Sequence, residues 1–419
     1  MSRVHTLANG VRVVADPVAG YGTFALSVVA GRGARIEDEA HAGWAHLLEH
    51  MVFKGAGQRS AREIVEAIEA RGGSVNAATG YERTSFQVRS LAGGLQLGLE
   101  VVADLMLHPT LGEADLAQEV GVIAQEIAEA ADTPDDFVFE LAQRAAFAGQ
   151  PIGRPILGTE ASIRTAEPAT LEAWRAQLYA PEQLVVSAAG AIDEGELLVL
   201  AERLFGDARA SAAPPPSPAT FTGGRAAEAR RLEQAHVVFF LPGVGAVDLD
   251  YFAARIFAEA LGGGMSSRLF QEARERLGLA YAIDAFAESY QDAGVIGVYA
   301  GCAAKDAQGL AKVVAAEFRK LAENVGEAEL ARAKAQLKAG LFMAAESLAA
   351  RAEQGAAQLL VFGRLLSMSE VAEAIDAVGS ADLRRLADRV TGPGLSAPAV
   401  LGPAKALPAA EAFHAAMFN

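Results

Sequence analysis

The feature that most constrains this chain is the run SAAPPPSP, Ser211 to Pro218, which has no apolar periodicity and divides the 419 residues nearly in half. Its prolines favour extended backbone with few hydrogen bonds, so it reads as a semi-rigid tether. The lengths on either side suffice for a core each. The expected organisation is a domain over 1–210, a linker over 211–224 and a second domain over 225–419. The same order of elements is read in both halves. In the first, strand-like GVRVVADP and TFALSVVAG precede a helix from Trp44 to Phe53 and a second helix over Ser60 to Arg71, where Ser60 and Glu63 have the spacing of a capping box and Gly72-Gly73 is the stop. Strand residues Ser74 to Ser90 follow, then a helix striped by Leu95, Leu99, Val102 and Met106, and another from Leu116. The second half runs strand His236–Leu241, helix Tyr251–Leu261, helix Ser267–Leu277, strands Tyr281–Ala287 and Gly294–Ala300, then helices from Ala304. Two divergent copies of one unit account for this order. The expected class is α+β: two homologous α/β-sandwich domains, each a mostly antiparallel sheet with helices packed on it, joined by the proline-rich linker.

Composition removes several functions. Lys+Arg 36 against Asp+Glu 52 gives a net charge of −16, with no basic patch to override it, so neither nucleic acid nor an anionic membrane surface is an expected partner. The single cysteine, Cys302, cannot form an internal disulfide and reads as a small buried hydrophobe. The opening MSRVHTLANGVRVVADP lacks the apolar stretch of a signal peptide, and no apolar run approaches the roughly 18 residues of a membrane span. A cytoplasmic protein is expected.

The sharpest local signal is His46-Leu47-Leu48-Glu49-His50. A helix turns about 100° per residue, so positions 46, 49 and 50 share one face and both imidazoles converge on one point. This is the inverted zincin order, His-x-x-Glu-His. Two neutral imidazoles suit zinc, which acidifies a water, and an unligated carboxylate at Glu49 is placed to act as base and then acid. A catalytic zinc site needs a third protein ligand. The helix LAQEVGVIAQEIAEAAD offers Glu119 and Glu126, seven residues apart on one face, and Glu129 a turn further on. Spacing alone does not choose among the three.

The runs AGWAHLLEHMVFKG, RGGSVNAATG and EVGVIAQEI together resemble the pitrilysin (M16) family of zinc peptidases, in its short branch with the mitochondrial processing peptidase and bacterial relatives. The resemblance covers nearly the whole chain. It departs mildly at Leu47, where aromatics are frequent, and at Ala56, where threonine is common. It implies one Zn²⁺ per chain held by His46, His50 and Glu126, Glu49 as the base, and Glu119 supporting a ligand. It implies that a peptide substrate adds as a strand at Asn76 and Ala77, and that Arg274 and Tyr281 in RERLGLAY contact the substrate backbone. Family members of double length place four such units around a chamber. A chain of two units is therefore expected to form a homodimer whose sites are completed in trans, with a heterodimer of related chains as the alternative. The expected function is a zinc metalloendopeptidase acting on small or unfolded polypeptides. Because relatives also serve as non-catalytic subunits, a peptide-holding or structural subunit is the rival class. The run Gly262-Gly263-Gly264-Met265-Ser266-Ser267 lacks the ending of a phosphate loop and reads as a helix terminus.

Overall fold

The computed structural model describes residues 2–209 and 215–419; Ser211 to Pro214 of the expected linker lie outside them, and residues 215–225 carry neither helix nor strand. The first unit is built on strands β1 (Arg3–Thr6), β2 (Arg12–Pro17) and β3 (Thr23–Ala30), a two-residue ribbon of β4 (Gly55–Ala56) and β5 (Arg59–Ser60), then β6 (Ser74–Thr79), β7 (Thr84–Leu91) and β8 (Leu184–Gly190). Six of these form one sheet in the order β1-β2-β8-β3-β7-β6, antiparallel except where β2 meets β8. The runs TFALSVVA and LVVSAAG are apolar without alternation because both faces of the sheet are covered. Leu26, Val28, Val186 and Ala188 face the main core, which takes in α1 (Trp44–Val52), α2 (Ala61–Glu69), α3 (Leu95–Leu107) and α4 (Glu113–Ala131). Ala25, Val29, Val185 and Ala189 face the other way and receive Ala352, Ala356 and Leu359 of the helix Leu348–Phe362. That helix lies close, since a Cβ at Gly355 would stand 3.1 Å from Ser187 Oγ. Its carboxylate Glu353 accepts from the Ser27 hydroxyl at 2.7 Å and from Gln87 Nε2 at 3.0 Å.

The second unit carries a five-stranded sheet of β9 (Ala226–Ala229), β10 (Ala235–Pro242), β11 (Ala282–Ser289), β12 (Gly294–Cys302) and β13 (Ala397–Gly402), in the order β11-β12-β10-β13-β9. Only the β13–β9 pair is parallel. The helix α5 (Pro134–Ala146) packs on β10 and β13, so a helix written in the first half of the sequence serves the second sheet.

The mixed α/β, two-domain architecture is the expected class, but the compact units are not contiguous. One comprises Met1–Ala128, Pro155–Ser217 and Met343–Leu365; the other comprises Glu129–Arg154, Pro218–Phe342 and Leu366–Asn419. Boundaries at 1–210 and 225–419 therefore miss two exchanged helical segments. The physical reason is that an apolar stripe on a helix states how much must be buried and not which sheet buries it. No helix among the described residues is long and apolar enough to cross a membrane.

Strand β6 is the edge of the first sheet and, among the described residues, pairs only with β7. Its pleat sends Ser74, Asn76 and Ala78 to solvent, while Val75, Ala77 and Thr79 are shielded on the side of α1.

Candidate metal centre

Helix α1 starts at Gly43, whose φ of +88° and approach to the Leu157 carbonyl leave no room for a side chain: a Cβ would lie 2.5 Å from that oxygen. The buried Glu37 carboxylate accepts from the backbone N–H of Gly43 at 2.8 Å and of Ala45 at 2.7 Å, a negative charge at the positive end of the helix. Trp44, Leu47, Leu48 and Met51 are buried. Their burial sets the rotation of the helix and leaves His46, Glu49 and His50 on the remaining arc.

Helix α4 is fixed in the same way by Leu116, Val120 and Ile123, and presents two carboxylates to that arc. Glu126 Oε2 lies 3.5 Å from His50 Nε2 and 3.9 Å from His46 Nε2. One donor atom from each of His46, His50 and Glu126 lies within 4.8 Å of the others. Zinc bonds of about 2.0–2.1 Å in a tetrahedron separate neighbouring ligand atoms by about 3.4 Å, so this donor set fits that ion with small adjustments. Glu129, the third candidate on the helix, is exposed and outside the cluster.

Glu119 is almost fully buried behind His50. Its Oε2 stands 3.0 Å from His50 Nδ1 and its Oε1 stands 2.5 Å from Lys54 Nζ. The first contact orients the imidazole with Nε2 toward Glu126, and the second balances a carboxylate that would otherwise be a buried lone charge. Burial first, and then the neighbouring His50, push the His46 imidazole down to about 4, so it is neutral near pH 7 with a lone pair to give. The Glu49 carboxyl is moved the other way: burial raises it above its ordinary value, and hydrogen bonding from Thr79 partly opposes the rise. The Thr79 hydroxyl donates to Glu49 Oε2 at 2.6 Å. Tyr179 is buried in the same core, its phenol raised by burial and then by the charge of Glu49.

Of the residues expected from sequence, His46, His50 and Glu126 are brought together, Glu119 sits behind His50, and Glu49 stands between the histidines in the sequence with its carboxylate on Thr79. Asn76 and Ala77 lie on the edge strand, the first exposed and the second shielded. Arg274 and Tyr281 belong to the other unit. The helix expected over Ser267 to Leu277 is widened into a π-helical stretch at Phe270–Arg276, and the Arg274 guanidinium lies 4.5 Å above the Phe270 ring. The side chain of Tyr281 is 62% exposed. Thr79 and Lys54 fall inside the runs RGGSVNAATG and AGWAHLLEHMVFKG without a role read for either, and Tyr179 lies outside every motif. The remaining partnered histidines are engaged elsewhere: His5 with Glu194, His41 with Asp38 and stacked on Trp174, His236 with Tyr299, and His414 with Ser396.

Comparison with known proteins shows the family. The family model described as Insulinase (Peptidase family M16) matches residues 13–160, and the one described as Peptidase M16 inactive domain matches residues 165–337. An uncharacterized zinc protease of Rickettsia bellii is 35% identical over 401 residues, covering 96% of this chain and 97% of that protein. Another, from Streptomyces coelicolor, is 34% identical and covers 96% of this chain and 89% of its own length. The crystal structure of a protease from Helicobacter pylori superposes with a TM-score of 0.90 at 23% identity, over 96% of this chain and 99% of that one, which is a likeness of fold. The matched models span most of the sequence and the relatives nearly all of it, and on that ground the chain belongs to the M16 family of peptidases.

Proposed function

We propose that the chain is a zinc-dependent metalloendopeptidase that hydrolyses peptide bonds of small or unfolded polypeptides. The observation that carries the proposal is the convergence of His46, His50 and Glu126 within 4.8 Å beside a half-buried, hydrogen-bonded Glu49. His46, His50 and Glu126 would hold one zinc per chain, which when bound supplies a Lewis acid and lowers the pKa of a water toward about 7. Glu49 takes a proton from the attacking water and later returns it to the leaving amine. Its raised pKa suits both tasks, because a stronger base accepts the first proton and the acid form is then retained until the amine departs. The open edge of β6 offers backbone groups to an extended peptide, with Asn76 and Ala77 flanking it, and such binding asks little of the peptide's side chains. Glu119 orients His50. Replacing it in Glu119→Gln is expected to weaken zinc affinity about 10- to 100-fold. Competition against a chromophoric chelator measures this, and an unchanged affinity would remove Glu119 from the site.

The proposal extends to a homodimer with a peptide chamber, in which Arg274 and Tyr281 of one chain steady the oxyanion and substrate at the zinc of its partner. A heterodimer with a related chain would have the same arrangement. A cytoplasmic setting is part of the proposal and suits a chain with one buried cysteine, Cys302, and no internal disulfide. The alternative class, a non-catalytic subunit that holds peptides, is disfavoured by the completeness of the set His46, Glu49, His50 and Glu126. One assay on a diverse peptide mixture tests both levels. Wild-type protein should cut it internally, Glu49→Gln and Arg274→Ala/Tyr281→Phe chains should each be weak, and their mixture under subunit exchange should exceed the sum of the two. An uncut mixture with wild-type protein contradicts the activity; no recovery despite proven exchange contradicts completion in trans.

A further inference from the structure

Thr79 is the last residue of β6, and the pleat that sends Asn76 and Ala78 to solvent turns Thr79 toward α1. There its hydroxyl donates to Glu49 Oε2 at 2.6 Å. The contact joins residues 30 apart in sequence and crosses from the edge strand to the helix that carries the histidines. A glutamate side chain has three free torsions, and a short bond from a hydroxyl to the carboxylate restrains them. With Oε2 engaged, Oε1 is the oxygen left to take a proton.

We propose that Thr79 is a positioning residue for peptide hydrolysis: it fixes the Glu49 carboxylate and ties its orientation to the strand on which the peptide docks. The proposal rests on the reading of Glu49 as the base. A peptide added along the outer edge of β6 would lie on the strand whose last residue already holds the Glu49 carboxylate. The base is thereby held in place before a peptide arrives, so losing the hydroxyl should act on turnover and not on binding.

The test compares Thr79→Val, which removes the hydroxyl at similar size, with Thr79→Ser, which restores it. Zinc content, thermal unfolding, kcat and KM are measured for both, and peptide affinity is measured for each change in a Glu49→Gln background, where nothing is cleaved. Thr79→Val should lower kcat about 10- to 100-fold, the scale of a misplaced catalytic group. KM, zinc content and peptide affinity in the Glu49→Gln background should stay at their parent values, and Thr79→Ser should recover most of kcat. Wild-type kcat in Thr79→Val overturns the proposal. So does equal loss in the Ser and Val variants, or loss of zinc or folding in both, since either outcome assigns Thr79 a structural role. Absence of peptidase activity in the wild-type protein, or full activity in Glu49→Gln alone, overturns the reading of the base and is distinguishable from failure at Thr79.

Discussion

Glu49→Gln should keep one zinc per chain and lose about 10²- to 10⁴-fold in kcat, the range that a positioned acid–base group contributes. Glutamine preserves the shape of the side chain, and its amide oxygen still accepts from the Thr79 hydroxyl, so the packing of α1 against β6 survives. What it removes is the capacity to take and return a proton. Because Glu49 is absent from the cluster of His46, His50 and Glu126, metal content should not follow activity downward. Metal analysis beside a fluorogenic-peptide assay reads both quantities on one sample. Activity near the wild-type level would move the base role to another group, and loss of zinc together with activity would make Glu49 a ligand.

The legible part of this molecule is the part written in short-range pattern. The capping box at Ser60 and Glu63 forms as its spacing requires, with the Ser60 side chain accepting from the Glu63 N–H and Glu63 accepting from the Ser60 N–H. His46 and His50 converge because four residues are little more than one turn, and Glu119 and Glu126 share a face because seven are nearly two. Spacing did not choose Glu126 over Glu129 and the family resemblance did; the physical ground, Glu126 beside His50 and Glu129 outside the cluster, appears only in the fold. Long-range partnerships left no mark of their own. The helix Leu348–Phe362 reads as any amphipathic helix, and nothing in LAARAEQGAAQLLVF states that Ala352, Ala356 and Leu359 will cover β3 and β8. Likewise Thr79 is an ordinary strand residue until the register of β6 turns its hydroxyl onto Glu49, and Lys54 is an ordinary cation until Glu119 is buried beside it. The widened turn that carries Arg274 was also silent, because a π-helical stretch and an α-helix share one apolar spacing over so few residues.

The second large effect concerns the metal itself and bears most directly on the central claim that this cluster is a zinc site at which Glu49 works. Protein stripped with a chelator and titrated with zinc should begin without peptide cleavage, gain it in proportion to added metal and reach a plateau at one equivalent per chain. Glu126→Gln keeps both histidines but loses the anionic ligand that lies 3.5 Å from His50 Nε2 and 3.9 Å from His46 Nε2, so its recovery should require zinc concentrations beyond those needed by Glu119→Gln. That order follows from geometry, because Glu126 faces the shared point and Glu119 only orients one imidazole. Cleavage that persists after complete stripping would contradict the account, as would a Glu126→Gln chain that recovers at the same single equivalent as the wild type.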